Sequence, residues 1–329
     1  MPDPQPSSSG KKRLIALAKL ALVAAIAWFL HRTALSAWED LRERHWSPAA
    51  LKPAWLLAAA LLYAAGQVFP GWFWQETLAE LGPKPPWFQA LRAYLIGHLG
   101  KYVPGKATVI LIRAGLLRGS STSATAATLG VFYETLSTLA LGSCLAALIL
   151  ALRFSQHAWL ILISFGMACV IGVPTLPPVF RRMVQFTRVG RLNPAVAEQA
   201  ARLDYRLLGL AWLMLPWSWL LQGLSLWATL QAGGYDSELG VIDQVAVCIA
   251  TIAIATAAGF LSFIPGGLVV REGVLLELLA PWFGEEGALV SAVLSRLVCL
   301  VAELAISGIL YPLRPARPSA PSSEDEHAV

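Results

Sequence analysis

Seven apolar stretches dominate the chain: Leu14 to Leu30, Ala54 to Trp74, Ala124 to Leu152, Ala158 to Leu176, Leu207 to Leu230, Val241 to Ile264 and Ala288 to Leu310. Each approaches or exceeds the roughly 20 residues that carry a helix across about 30 Å of hydrocarbon. Leu, Ala, Val and Ile fill them with little period-two alternation, which favours helices over barrel strands. Hydrophobic residues make up 57% of the 329 and charged residues 14%, more apolar surface than a soluble domain of this length can bury. An all-α, polytopic integral membrane protein is therefore expected.

Two places break this regularity in the same way. Lys101-Tyr102-Val103-Pro104-Gly105-Lys106 precedes Arg113-Ala114-Gly115-Leu116-Leu117, and Phe263-Ile264-Pro265-Gly266-Gly267 precedes Arg271-Glu272-Gly273-Val274-Leu275. Proline removes a backbone donor and glycine abandons helical geometry, so each Pro-Gly pair frees amides and carbonyls that lipid cannot satisfy. Such backbone survives at membrane depth only where it is buried in protein or lines a polar cavity. Paired, charged interruptions in two halves of a transporter mark its binding site. Trp87 to Arg118, with Arg92, His98, Lys101, Lys106 and Arg113 inside it, is too charged for a lipid-facing span and reads as a hairpin of two short helices.

Basic residues orient the bundle. They concentrate between Lys84 and Arg118 and in the loop holding Arg181, Arg182, Arg188, Arg191, Arg202 and Arg206, whereas Asp236 and Glu238 make the next loop acidic. The positive-inside rule places the first two in the cytoplasm. If Val241 to Pro281 is a second hairpin dipping from outside, Glu285 and Glu286 are external and Arg314 and Arg317 cytoplasmic. That reading is preferred and gives six full spans plus two re-entrant hairpins entering from opposite faces, an inverted repeat. Val241 to Ile264 is long enough to cross fully, so a count of eight helices stays open. Residues 1–13 are expected to be a disordered cytoplasmic N-terminus, 14–311 one transmembrane domain and 312–329 a disordered tail, with both termini cytoplasmic and the protein in the cell (plasma or inner) membrane. Tryptophans near the span ends suit an interfacial belt, and Thr33 to Trp46 reads as an amphipathic helix lying in the outer interface.

Charges within apolar runs need partners, because each costs about 3 kcal/mol at mid-bilayer. Gly130, Glu134, Thr138 and Gly142 recur every four residues and form one small, polar helix face; Ala292, Arg296, Cys299, Glu303 and Ser307 form another. Aligning the two broken motifs brings Glu134 and Arg296 into equivalent places, so Arg113 with Glu134 and Glu272 with Arg296 are expected as pairs of reversed polarity. Such pairs can be purely structural staples, and both roles stay open for Glu134 and Glu272. Lys101, Lys106, Arg113 and Arg271 lean toward function, since cations beside exposed amides suit a phosphate. Arg92, Lys84 and Arg118 read as interfacial snorkelling residues, and His98 as a hydrogen-bonding residue.

Cys144, Cys169, Cys248 and Cys299 are isolated in apolar runs, implying neither a metal site nor disulfides. No hydrolase, zinc-protease, P-loop or dinucleotide motif is present, so no cofactor or metal is implied and an enzyme is disfavoured. The net charge of +5 reads as membrane orientation and anionic-lipid contact, not nucleic-acid binding.

Leu99-Gly100-Lys101-Tyr102-Val103-Pro104-Gly105-Lys106 with Arg113 downstream, followed by Phe263-Ile264-Pro265-Gly266-Gly267 with Arg271-Glu272-Gly273, closely resembles the flippase-like family named for the transmembrane region of lysylphosphatidylglycerol synthase. The resemblance spans about Leu14 to Tyr311. It implies a lipid-translocating domain whose relatives handle aminoacylated phosphatidylglycerol or accompany polyprenyl-linked sugar and hopanoid pathways. The sequence runs only a short way past its last span, without the soluble aminoacyl-transferase domain, so transport without lipid synthesis is expected. The residues assigned to the substrate are Lys101, Tyr102, Pro104, Gly105, Lys106, Arg113, Glu134, Pro265, Gly266, Gly267, Arg271, Glu272 and Arg296, the substrate being the phosphate-bearing headgroup of a phospholipid, aminoacyl-phospholipid or polyprenyl phosphate. The alternatives are a polyprenyl-dependent glycosyltransferase using Glu39 and Asp40, and a non-catalytic accessory to a lipid-modifying enzyme partner.

Overall fold

The computed structural model describes residues 51–102, 107–117, 122–187, 194–264, 267 and 269–313. The expected first span, the interfacial segment with Glu39 and Asp40, and both termini lie outside them. Among the described residues every regular element is helical: α1 Pro53–Gly66, α2 Val68–Leu81, α3 Trp87–Gly97, a 3-10 turn His98–Tyr102, α4 Ala107–Leu116, α5 Ala124–Arg153, α6 Ala158–Gly172, α7 Pro177–Phe186, α8 Pro194–Ala201, α9 Tyr205–Gly233, α10 Val241–Leu261 and α11 Val270–Leu310. Gly284, at φ 73° and ψ 161°, divides α11 into arms 270–283 and 285–310. Among the described residues six helical stretches are long and apolar enough to cross a membrane: Pro53–Leu81, Ala124–Arg153, Ala158–Thr175, Tyr205–Gly233, Val241–Leu261 and Val270–Leu310.

Sequence chemistry sets the ends of these helices. Ser123 and Asp204 cap α5 and α9, accepting from the amides of Ala126 at 3.0 Å and Leu207 at 2.9 Å. Gly234, at φ 76°, closes α9 in the left-handed conformation that glycine adopts without a Cβ penalty. Pro70 cannot donate to the carbonyl four residues back, at Gly66, and α1 accordingly gives way to α2 there. The helix nevertheless continues to Leu81, past the expected end at Trp74, because Gln75 and Thr77 are buried and satisfied by the carbonyls of Pro85 and Phe73.

Contacts between helix ends fix the topology. At one end the Lys52 amide donates to Ala232 at 2.9 Å, Arg153 pairs with Asp243 at 3.2 Å, Tyr235 donates to Glu286 at 3.2 Å, and Trp282 packs against Phe154. At the other end Arg181 donates to the Leu203 carbonyl at 2.7 Å, and Leu81, Leu117, Phe180 and Leu203 share one core. The joined helix α1–α2, then α5, α6, α9 and arm 285–310 therefore run from end to end. The α3–α4 hairpin leaves and rejoins the second end, while α10 and arm 270–283 leave and rejoin the first, so two hairpins enter from opposite ends. The arms of the second are unequal. Nothing interrupts Val241–Leu261 after Asp243, and its 21 residues extend roughly 31 Å, a full bilayer depth.

Glycines bring the long helices into contact. A Cβ on Gly223 of α9 would lie 2.8 Å from the Ile249 Cα of α10, and one on Gly142 of α5 would lie 2.5 Å from the Trp219 ring of α9. The same Trp219 donates to the Thr138 carbonyl at 2.9 Å, locking that contact. Small residues at such crossings supply the van der Waals packing that holds membrane helices together.

Gly223→Ala should lower stability by about 1–3 kcal/mol, the usual range for overpacking, measured as the unfolding midpoint in detergent. Gly166→Ala and Gly209→Ala, whose Cβ atoms meet nothing within 4 Å, should be neutral. Membrane orientation is testable separately. With the basic end in the cytoplasm, single cysteines replacing the exposed Glu238 and Glu285 should react with an impermeant reagent in intact cells. Cysteines replacing the exposed Arg202 and Leu313 should react only after permeabilisation, and the opposite pattern would invert the bundle.

Candidate functional site

Each hairpin is closed by glycine. A Cβ on Gly97 would fall 2.4 Å from the Arg113 Cγ, and one on Gly100 would fall 2.7 Å from the Val109 amide nitrogen, so α3 and α4 are pressed together before their break. Gly259 of α10 and Gly267, at φ 65°, meet in the same manner, each Cβ lying 3.0–3.2 Å from the other's Cα. Phe263 and Val269 flank the second break at φ 57° and 68°; for a β-branched residue such as Val269 that region is strained, a feature that collects at binding sites. Pro104, Gly105, Lys106, Pro265 and Gly266 lie outside the described residues.

Between the hairpins lies a cavity of about 520 Å³. Lys101, Tyr102 and Arg113 line it from the first hairpin, Gly267 and Arg271 from the second, and Glu134 and Arg296 from the helices that follow them. Sequence positions more than 150 residues apart thus converge on one space. Glu272 does not line it but stands behind Arg271 and Arg296, within reach of both.

The charges are paired. Arg113 donates to Glu134 at 3.2 Å, and both side chains are buried to within 3% exposure. Tyr94 and Thr138 donate to the same carboxylate at 3.2 Å, and the guanidinium sits 4.0 Å from the Tyr94 ring centroid and 5.1 Å from that of Trp74. This aromatic cage adds cation–π attraction to the ion pair. In the second half Arg296 donates to Glu272, and Arg271 approaches the same carboxylate oxygen at 3.6 Å. Both reversed-polarity pairs expected from motif alignment are present.

A third pair is not evident from the sequence. Lys101 donates to Glu303 at 2.5 Å, and Tyr63 donates to that same carboxylate. The Lys101 ammonium also lies 3.4 Å from the Tyr63 hydroxyl and 5.1 Å from the Tyr102 ring centroid. The polar face of the last span pointed to Glu303 but not to its partner, which lies 202 residues away; the available signal was Tyr63, a phenol within an otherwise aliphatic run.

Arg92 does not snorkel. It is buried and donates to the carbonyls of Leu310 and Tyr311, each at 2.8 Å, closing the end of α11. Lys84 is half-exposed and pairs with Glu76 at 2.7 Å, as an interfacial lysine would. His98 lines the cavity with its ring 5.2 Å from that of Tyr94. Among the described residues no cluster of His, Cys, Asp and Glu is arranged to hold a metal ion.

A helical bundle of membrane-spanning length, with two opposed hairpins around an internal charged cavity, defines a multi-pass membrane protein with a buried polar site. The family model for the lysylphosphatidylglycerol synthase TM region matches residues 16–307, and the chain belongs to that family. No curated protein matches it.

The Arg113–Glu134 pair yields a stability test. Arg113→Met or Glu134→Leu alone leaves an uncompensated buried charge and should cost about 3–5 kcal/mol. The double variant removes both charges and should unfold at a higher denaturant midpoint than either single one.

Proposed function

We propose that the protein moves a phosphate-bearing lipid between leaflets, its headgroup held in the cavity between the two hairpins. One observation carries this reading: Lys101 and Arg271, from hairpins that enter from opposite ends, line the same cavity. A site reached by one hairpin from each side is the geometry of alternating access around a fixed position. Lys101 keeps 35% of its side chain accessible there, and Arg271 and Arg296 share a single carboxylate. Cations in these surroundings favour a phosphate, because a charge-assisted hydrogen bond is about twice as strong as a neutral one. Phe132 and Ile264, 48% and 41% exposed, line the cavity and give it apolar surface suited to acyl or prenyl tails.

Glycosyl transfer would require a carboxylate available to the acceptor. Glu134, the one acid among the described lining residues, is already held by Arg113, Tyr94 and Thr138. A purely accessory role leaves the cavity and its cations without a purpose.

Leaflet exchange of fluorescent phosphatidylglycerol in proteoliposomes tests the proposal. Lys101→Gln and Arg271→Gln proteins that elute as folded monodisperse species should each lose most of the exchange, and normal exchange by both would place the headgroup elsewhere. A product of altered lipid mass would instead favour transfer chemistry.

A further inference from the structure

Glu303 sits one helical turn beyond the cavity-lining Cys299, 4% exposed, with Tyr63 and Lys101 between it and the cavity. Its Oε1 accepts from both, while its Oε2 is buried with no partner among the described residues. Lys101 is therefore shared between two places: its ammonium neutralises Glu303 on one side and faces the cavity on the other. We propose that Glu303 is a proton-binding site coupled to the headgroup. An anion that takes over the Lys101 ammonium strips the carboxylate of its cation, and Oε2 accepts one proton from the aqueous phase to become a neutral carboxylic acid. The inference rests on the phosphate-lipid reading above and adds to it an energy source, the proton gradient.

The other cations near that carboxylate are already engaged, Arg271 and Arg296 sharing Glu272. Tyr63 comes from α1, and His98, Lys101 and Tyr102 from the 3-10 turn, with His98 facing Lys101; on Glu303's own arm stand Cys299 and, two turns away, Arg296, and Arg271 of arm 270–283 faces Cys299. Arg296 is held by Glu272, and Arg92, facing the same arm from α3, is held by the terminal carbonyls of α11. Helix α9 carries no ionisable residue beyond Arg206, and α10 none beyond Cys248. The Tyr63 phenol hydrogen-bonds the carboxylate but does not cancel its charge, and a buried unpaired charge takes up a proton when it can.

The test uses the full chain in detergent with a pH-indicator dye and phosphatidylglycerol whose brominated acyl chains quench tryptophan on binding. Wild-type protein should take up one proton per lipid bound, and wherever it does so its affinity should fall about tenfold for each unit rise in pH, the slope for one linked proton. Glu303→Gln should bind with a pH-independent affinity and release or absorb no proton. Glu303→Asp keeps a titratable carboxylate and should keep the slope, which separates loss of the proton site from loss of fold. Saturable wild-type binding with flat affinity and no proton uptake overturns this inference and leaves the phosphate reading standing. Absence of saturable binding overturns both.

Discussion

Backbone that is not helical cannot face lipid, and this chain places a Pro-Gly pair within each of its two hairpins. Each freed amide or carbonyl costs several kcal/mol in hydrocarbon unless protein or an enclosed polar space receives it. The end-to-end helices therefore form a wall around the two hairpins, and the remaining features follow from that enclosure. Glycines at 97, 100, 259 and 267 let each hairpin fold flat, and those at 142 and 223 let the wall close around them. Arg113 and Lys101, which enter with the first hairpin, find their counterparts Glu134 and Glu303 on the surrounding helices.

The charge clusters centred on Glu134, Glu303 and Glu272 around the cavity are not equivalent. Arg113 and Glu134 are almost wholly buried and caged by Tyr94, Trp74 and Thr138, so their exchange with a ligand would dismantle an aromatic core. Lys101, Arg271 and Arg296 are less enclosed: the lysine remains partly accessible, and the two arginines divide one carboxylate. The first pair fastens the hairpin, whereas Lys101, Arg271 and Arg296 line the cavity without their carboxylates. Arg113 and Glu134 line the cavity as well, yet their chief contribution is to fix where it lies.

Much of this was legible in the sequence because it depends on local period and on repetition. Hydropathy located the spans that fall among the described residues, the four-residue recurrence from Gly130 to Gly142 marked the buried face of α5, and superposing the two Pro-Gly motifs identified Arg113–Glu134 and Glu272–Arg296. The Lys101–Glu303 pair and the capping of α11 by Arg92 were not legible. Each joins helices separated by about 200 residues, and no periodic signal connects them; they exist only once α1, α3 and α11 are packed side by side. The unequal second hairpin was half visible, its apolar run being long enough to cross while its acidic flanks indicated a return to the same end.

The central claim is that one lipid phosphate lies between cations supplied from opposite ends of the bundle. The most direct measurement is solid-state NMR dipolar recoupling between lipid phosphorus-31 and side-chain nitrogen-15 of the protein in phosphate-lipid bilayers, with Lys101 and Arg271 assigned by substitution. The account predicts one phosphorus population coupled to both side chains, each within hydrogen-bonding reach at about 2.8 Å between nitrogen and oxygen. Coupling confined to interfacial residues such as Lys84 or Arg182, with none at Lys101 or Arg271, would contradict it.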